Sequence, residues 1–589
     1  MNFDGLACSL SGQPWRLAPA DERLAAAIAQ GHGVPEVIGR LLAGRGVGLE
    51  AAAAYLDPSL KHDLPDPSQL VDMDKAAARL AEAVTGGETI GVFGDYDVDG
   101  ATSSALLKRF FDAVGAACRV YIPDRLKEGY GPNAPALRAL QAQGVGLVVT
   151  VDCGSSAHEA LAAADTAGLP VIIADHHQAE PPYPPAYAHV NPNRHDANGE
   201  HGQLAAVGVT FLLVVALNRA LRAAGWYGAT RREPDLRQWL DLVALGTVCD
   251  VVPLTGVNRA LVTKGFEVMA WRANIGLAAL CDVANLAGPP GAYQAGFILG
   301  PRVNAGGRVG QADLGVRLLA SDDSELACRL ARELDTLNSE RRAIEAGVLE
   351  AASAQIASQA DDGPVVIAAD AGWHPGVIGI VASRLKERYR RPAIVIGAQG
   401  KGSGRSINGV DLGAAIVAAR EAGLLINGGG HKMAAGLTVD PGRIDALRDF
   451  LAARLAGPVV SAARNGGLII DGVLAVGGAT VELLDQLDQA GPFGAGNPTP
   501  RFVLAGARVI QARAVGAEGA HVSCFLGGQG ARLKAIAFRP EGALAEGLLR
   551  ASQTRQSLYV AGTLRADYWR GERRPQFHII DAAFATENA

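Results

Sequence analysis

Residues 91–100 read GVFGDYDVDG, an apolar run that stops at three aspartates spaced two apart and then a glycine. Three more junctions of this kind follow. Leu147–Val151 runs into Asp152–Cys153–Gly154, Val171–Ala174 runs into Asp175–His176–His177, and Val243–Cys249 ends at Asp250. Read as strands of an open parallel α/β sheet, these runs would present their acidic ends where such sheets bind ligands, just outside the carboxyl ends of the strands. Clusters spread over more than 150 residues of sequence then converge on one site. Carboxylates with imidazole are the ligand set of Mn²⁺, Mg²⁺ or Zn²⁺. Several together can hold two ions, the arrangement that cleaves phosphate esters.

The surrounding pattern supports the sheet. A strand at 88–94 leads to a helix at about 101–115. Strands at 118–122, 146–151 and 169–174 alternate with helices at 133–143 and 156–167, which is the signature of βαβ units. Before them, residues 72–86 read as an Ala-rich helix, and residues 1–70 as an N-terminal arm with short helices near 21–30 and 35–44. Helices at about 205–224 and 235–248 follow. A long polar helix covers 323–358, either a spacer between two lobes or a helix packed on one of them. A second α/β region begins with a strand at 365–368, a helix entered at His374–Gly379 and a strand at 393–396. There Gly402–Ser406 and Gly428–His431 read as loops. The last part, 466–588, has short strands at 502–512, 520–526, 532–538, 557–564 and 576–585, the spacing of a small barrel.

Composition narrows the class. The chain has 589 residues, 49% hydrophobic and 19% charged, so large cores are expected and wholesale disorder is excluded. Its net charge of −6 argues against coating nucleic acid by bulk charge, while leaving room for local basic grooves. Two local basic runs stand out, RLKERYRR at 384–391 and RGERR at 570–574. Apolar stretches break before the ~20 residues a membrane span needs. The start MNFDGLACSL lacks a secretory pattern, and the seven cysteines form no CxxC pair. The expectation is a protein of the reducing cytoplasm, without a membrane.

Asp97 and Asp99 flank Val98, so in an extended segment their side chains would share one face and both could reach metal. Asp95 has the same parity and is either a third ligand or a partner of one. Asp152 or Asp250 could bridge two ions. His176 and His177 would point to opposite sides, one to metal and the other to a substrate phosphate. Any one of these groups alone is more often a cap, a turn or a structural pair. The ordered set is far more specific.

DYDVDG at 95–100, VDCG at 151–154, DHH at 175–177 and the later Asp250 match, in order, the four motifs of the DHH phosphoesterase superfamily. SGRS at 403–406 and GGGHKMAAG at 428–436 resemble its companion DHHA1 domain. YIPDRLKEGYG at 121–131, GPRVNAGGRVG at 300–310, LDTLNSERRAIE at 334–345, GPFGAGNPTPRF at 491–502 and the β-rich end are similar to its branch of single-stranded-DNA-specific 5′→3′ exonucleases.

The resemblance implies a two-lobed α/β enzyme: an arm (1–70), a Rossmann-like DHH domain (71–322), a linking helix (323–361), a DHHA1 domain (362–460) and a C-terminal OB-fold barrel (466–588). It implies that Asp97, Asp99, Asp152, His176 and Asp250 hold two divalent ions, Mn²⁺ or Mg²⁺, with Asp152 bridging. His177 would contact the scissile phosphate, with Asp95 and Asp175 completing the catalytic group. Where some superfamily members carry a further His ligand, this chain has Phe93. Ser403 and Arg405 would anchor a 5′ phosphate with Arg125 and Arg308, joined by Arg302, Asn304 and His431. Tyr568, Trp569, Arg570, Arg573, Arg574 and Phe577 have the mix of rings and charge that binds single strands. The implied partners are single-stranded DNA, a single-strand-binding protein and a helicase, acting on a monomer. Two other readings compete: a DHH phosphodiesterase of short oligonucleotides or cyclic dinucleotides, and a DHH-derived replication scaffold without catalysis. The barrel region opposes the first, and the intact ligand set opposes the second.

Overall fold

The apolar runs that end in carboxylates do form one sheet. The computed structural model describes residues 9–125, 127–286, 288–359, 363–554, 556–569 and 572–584. Strands β1 (Thr89–Gly94), β2 (Cys118–Tyr121), β3 (Val145–Val151), β4 (Val171–Ala174) and β5 (Ala188–Val190) are all parallel, in the order β2-β1-β3-β4-β5. Both faces are covered, so the strands read as unbroken apolar runs rather than alternating ones; Val148, Val149, Ile172 and Ile173 are all fully buried. The order reverses between β1 and β3, and this switch point is where doubly wound sheets open their ligand crevice. Helices α1 (Met73–Thr85), α2 (Val98–Val114), α3 (Ala134–Ala142), α4 (His158–Thr166) and α5 (Ala206–Ala223) complete this lobe with α6 (Leu240–Cys249). By length and composition α5 could cross a membrane, but 72% of it is buried inside the fold. It is a core helix.

Two expectations change here. The run Val243–Cys249 belongs to α6, not to a strand, and Asp250 is the residue that ends that helix. Leu240–Thr247 is buried throughout, so the run carries no helical periodicity to separate it from a strand. Likewise α2 begins at Val98 rather than near 101, with Asp97 as its N-cap. Asp97 and Asp99 therefore do not share one extended face. One caps the helix and the other stands in its first turn.

The long helix α8, after α7 (Gly300–Val309), spans Ser324–Ser358. It serves both lobes. Its first half packs on α7, and its last turns, through Val348, Ala352 and Ile356, join the core of the second lobe. That lobe is a mixed sheet of β6 (Val366–Ala369), β7 (Ala393–Ile396), β8 (Lys401–Arg405), β9 (Asn427–His431) and β10 (Ala434–Thr438), in the order β9-β10-β8-β7-β6, with α9 (Pro375–Tyr389) and α10 (Leu412–Glu421). The two segments expected as loops, 402–406 and 428–431, are thus largely strands β8 and β9. Glycine has low strand propensity, which hid them. Here close packing selects it: a Cβ on Gly428 would lie 2.9 Å from both Ile416 and Leu425.

A separate compact unit takes in the described residues of Met1–Leu64, Pro253–Thr263 and Gly466–Ala589. Its five principal strands are β11 (Phe502–Val515), β12 (His521–Gly528), β13 (Ala531–Phe538), β14 (Ser557–Trp569) and β15 (Glu572–Phe584). They close through β11–β12–β13–β15–β14–β11, with β13 and β15 parallel and every other pair antiparallel. This is the OB-type barrel expected at the C-terminus. Trp15–Leu17 pairs in parallel with Leu468–Ile470, and Ile28, Ile38, Leu41 and Leu42 share one core with the barrel strands.

Candidate metal centre and phosphate pocket

β1 ends at Gly94, and the chain turns through Asp95 and Tyr96 to the N-cap Asp97, which accepts from Gly100 N–H at 3.0 Å. Gly100 is required by this turn, since a Cβ there would fall 2.5–2.7 Å from the Asp95 backbone. Asp99, 1% exposed, accepts from the N–H of Ala206 at 2.7 Å and of Val207 at 2.8 Å, in the first turn of α5. A helix N-terminus favours such a charge. Asp152 follows β3 with φ of +61°, a region non-glycine residues seldom occupy. Such outliers gather at functional sites.

The cluster holds three overlapping triads, of which Asp152, His176 and His177 form the one that shares a residue with each of the others. Asp95, Asp97 and Asp152 place ligand atoms within 4.8 Å of one another, as do Asp99, His176 and Asp250. His176 Nε2 lies 3.4 Å from Asp152, 3.7 Å from Asp250 and 4.0 Å from Asp99. His176 Nδ1 lies 3.1 Å from the Leu204 carbonyl. A carbonyl only accepts, so Nδ1 carries the proton and Nε2 presents a bare lone pair to the carboxylates.

Burial and mutual repulsion push the carboxyls up. Asp95 rises to about 8 through burial and Asp97. Asp99 is raised well above the carboxylate range by burial and then by Asp250, Asp152 by burial and then by Asp97, and Asp250 by burial chiefly. Buried like charges are costly unless a cation neutralises them. Three buried polar atoms here, Asp95 Oδ1, His176 Nε2 and Asp250 Oδ2, have no hydrogen-bond partner. Oxygen-rich donors with one imidazole and unsatisfied lone pairs fit hard divalent ions.

Asp175 plays a different part. It accepts from Ser155 N–H at 3.1 Å, His176 N–H at 2.8 Å and His177 Nδ1 at 2.8 Å. Burial opposes its charge, but the His177 hydrogen bond outweighs that and holds its carboxyl well below the usual range. In return, the Asp175 hydrogen bond and charge raise His177 against the effect of burial. Asp175 is thus turned toward His177. Sequence reasoning missed several residues around this pair. Tyr130 donates to the Asp152 carbonyl at 3.0 Å and lies 3.2 Å from His177 Nδ1. Asn191 and Asn193 donate to the carbonyls of His177 and His176 at 2.8 and 2.6 Å. Their signal was available in part, since Asn191 directly follows the short strand Ala188–Val190 and Asn193 comes two residues later.

Across from the carboxylates stand arginines. Arg125 lies over the Tyr96 ring, 5.2 Å from its centre. Arg308, near the end of α7, donates to the Gly376 carbonyl at the start of α9 at 3.0 Å. Arg405 donates to Ser403 Oγ at 2.9 Å. Burial lowers Arg308 to about 10, with Arg125 next among the causes and Arg405 contributing. Burial and Arg125 also lower Arg405. Buried positive charge gathered in this way suits an anion, and a guanidinium can bind a phosphate bidentately.

The remaining sequence candidates fall elsewhere or are otherwise engaged. Arg302 pairs with Asp335 of α8 at 2.9 Å and donates to the Ile298 carbonyl, so it ties α7 down rather than facing the pocket. Asn304 is half-buried on α7. His431 is exposed on the edge strand β9, two strands from Arg405 in the cross-strand row His431–Ala434–Arg405. In the barrel Tyr568 is 70% exposed, whereas Phe577 is fully buried core. Arg573 pairs with Asp485 and Asp488, and Arg574 with Glu572. Trp569 is described in its backbone only, and Arg570 lies outside the described residues.

Comparison with known proteins agrees with this layout. The DHH family N-terminal domain matches residues 89–247, the DHHA1 domain 362–457 and the RecJ OB domain 470–581. The single-stranded-DNA-specific exonuclease RecJ of Escherichia coli is 38% identical over 525 residues, 87% of this chain and 90% of that protein. The Bacillus subtilis protein of the same name is 34% identical over 576 residues, 97% of this chain and 70% of that one. The crystal structure of Thermus thermophilus RecJ in complex with Mn²⁺ is similar with a TM-score of 0.79 and 31% identity, over 98% of this chain and 80% of that chain.

Proposed function

The chain belongs to the RecJ family of single-stranded-DNA-specific exonucleases, and we propose that it works from the 5′ end, releasing 5′ mononucleotides at the Asp97–Asp250 cluster. It is a metal-dependent nuclease of single-stranded DNA, with Mn²⁺ or Mg²⁺ as cofactor. The observation that carries the proposal is the pairing, in one compact unit, of a carboxylate pocket with unsatisfied ligand atoms and an arginine pocket with unpaired positive charge.

Asp95, Asp97 and Asp152 would hold one ion, and Asp99, His176 and Asp250 the other. Ions bound there supply an activated water and charge stabilisation at the leaving 3′ oxygen. The chain's own groups do the rest. The α5 N-terminus fixes Asp99, and the Leu204 carbonyl fixes the His176 ring. Asp175 orients His177 and favours its charged form, which suits a hydrogen bond to a phosphate oxygen. Ser403, Arg405, Arg308 and Arg125 hold the terminal phosphate. A terminus held at a fixed distance from the cleaving groups makes the enzyme an end-reader with a one-nucleotide step.

The exposed Tyr568 of the barrel gives a further ring for the strand. The described cysteines are all unpaired thiols, which fits the reducing cytoplasm. The barrel and its RecJ OB match weigh against an enzyme for cyclic dinucleotides. The test is digestion of one strand, single and as a blunt duplex, with Mn²⁺ and with a chelator. Loss of the single strand alone, and only with metal, is expected. Equal digestion of the duplex would overturn the proposal.

A further inference from the structure

We infer that Tyr293 and Phe297 form a stacking platform for bases on the 3′ side of the cleaved bond. This rests on the single-strand exonuclease reading and adds to it the residues that grip the bases. The two rings stack at 5.2 Å between centres and 27° between planes. Tyr293 is 61% exposed and Phe297 73%. Phe93, Phe110 and Phe111 of this lobe are at 0%, and although Trp271 is also 70% exposed, Tyr293 and Phe297 are the exposed rings that stack on each other. A stacked pair of rings facing water costs hydration unless something covers it.

Their position ties them to the metal centre. Phe297 lies in a single π-turn, Ala295–Leu299, that leads directly into α7. Such turns are rare and recur at functional sites. The turn is packed on the end of α6. Cys249 Sγ lies 3.4 Å from the Ala295 carbonyl, and a Cβ on Gly300 would collide with that sulfur. Cys249 is the residue before Asp250. At its other end α7 brings Gly307 against the Tyr96 backbone and carries Arg308. One helical rod thus reaches from the ring pair, past Asp250, to the terminal-phosphate pocket. Phe297 to Arg308 spans about 16 Å at the helical rise, room for about five nucleotides at the ~3.4 Å spacing of a stacked strand.

Charge points to a phosphate-bearing ligand. No Asp or Glu occurs between Asp282 and Asp313, while Arg308 does, and Arg302 of the same stretch is already paired with Asp335. A strand whose 5′ phosphate sits at Arg308 and whose first bond lies at the carboxylates would carry its next bases toward Tyr293 and Phe297. Aromatic rings suit this because every base has a stackable face, whatever the sequence.

The experiment compares wild type with the double variant Tyr293→Ala, Phe297→Ala, measuring KM on 5′-phosphorylated strands from two to about 20 nucleotides. The curves should coincide at two nucleotides and diverge beyond about five, with KM for the variant raised by about 5- to 150-fold and kcat retained. Abasic sites walked along the strand should weaken wild type at one or two positions near the 5′ end and leave the variant indifferent there. Phe297→Trp, which keeps a ring, should restore the length dependence and so answers any concern over folding of the double variant. Equal KM at every length, or the same abasic profile in wild type and variant, overturns the platform. Failure of wild type to shorten any single strand overturns the exonuclease reading instead.

Discussion

His176 shows how one residue is set for its task by its neighbours. The Leu204 carbonyl accepts from Nδ1–H and leaves Nε2 facing three carboxylates, and Asn193 holds the backbone from behind at 2.6 Å. Arg405 is set in a similar way, by Ser403 and the Gly404 carbonyl at 2.8 Å, with its charge uncompensated by any acid among the described residues. Arg405→Ala should therefore shrink the KM advantage of 5′-phosphorylated over 5′-hydroxyl strands. A hydrogen bond to a charged group is worth about 1.5–3 kcal/mol, roughly 10- to 150-fold. An undiminished preference would place the anchor elsewhere. At this scale the sequence was informative wherever chemistry and position coincide at a strand end, as at Asp152 and Asp175. It was silent on pairings across long separations. Arg302 reads like Arg308, and only the fold reveals that Asp335 holds it. Phe577 reads like Tyr568, but the alternation of β15 turns it inward.

At the scale of elements, helix α6 carries a built-in pH dependence. Asp241, in its first turn, is 1% exposed and accepts from the Leu242 N–H at 2.8 Å. Burial pushes its carboxyl up to about 7, and the charge of Arg109 offsets this only in part. Arg109 is itself committed to Asp322 and to the Leu319 and Ser321 carbonyls. A folded-state value above the unfolded one favours folding at low pH. That stability is full below about 4, falls as pH rises, and is lost above about 7. Asp241→Asn should therefore raise Tm relative to wild type at pH 8 and not at pH 4. A tenfold change in proton affinity on folding is worth about 1.4 kcal/mol, so the gain should be of order a few kcal/mol. A Tm difference independent of pH would contradict this. α6 was also the element hardest to read, because a helix buried on all sides loses the 3.6-residue pattern that marks it. The parallel strands survived the same loss, since short apolar runs flanked by turns remain strand-like.

At the scale of the molecule, the two ends of the chain fold as one unit. Trp15 donates its indole N–H to Asp581 at 2.9 Å, and the N-terminal helices share a core with Phe502, Phe577 and Leu558. Sequence pattern finds the helices and strands of this unit separately. It holds no local trace of contacts more than 400 residues apart. Phe502→Ala, at a site 1% exposed, should cost about 3–5 kcal/mol. Amide hydrogen exchange should then quicken in Glu22–Gly44 together with the barrel strands. Exchange that quickens in the barrel while Glu22–Gly44 stays protected would show that the N-terminal helices are stabilised independently. Removing residues after 457 would strip this core from one side, so the barrel's part in binding is better tested by Tyr568→Ala.

The most direct test of the central claim is the first product released from a long single strand labelled at its 5′ end, with Mn²⁺ present. The label should appear at once as a mononucleotide, while a 3′-labelled strand shortens through a ladder. Chelation of the metal, or Asp152→Ala in a folded protein, should abolish both. Label retained on the strand while its 3′ end recedes, or release that persists in Asp152→Ala, would contradict it.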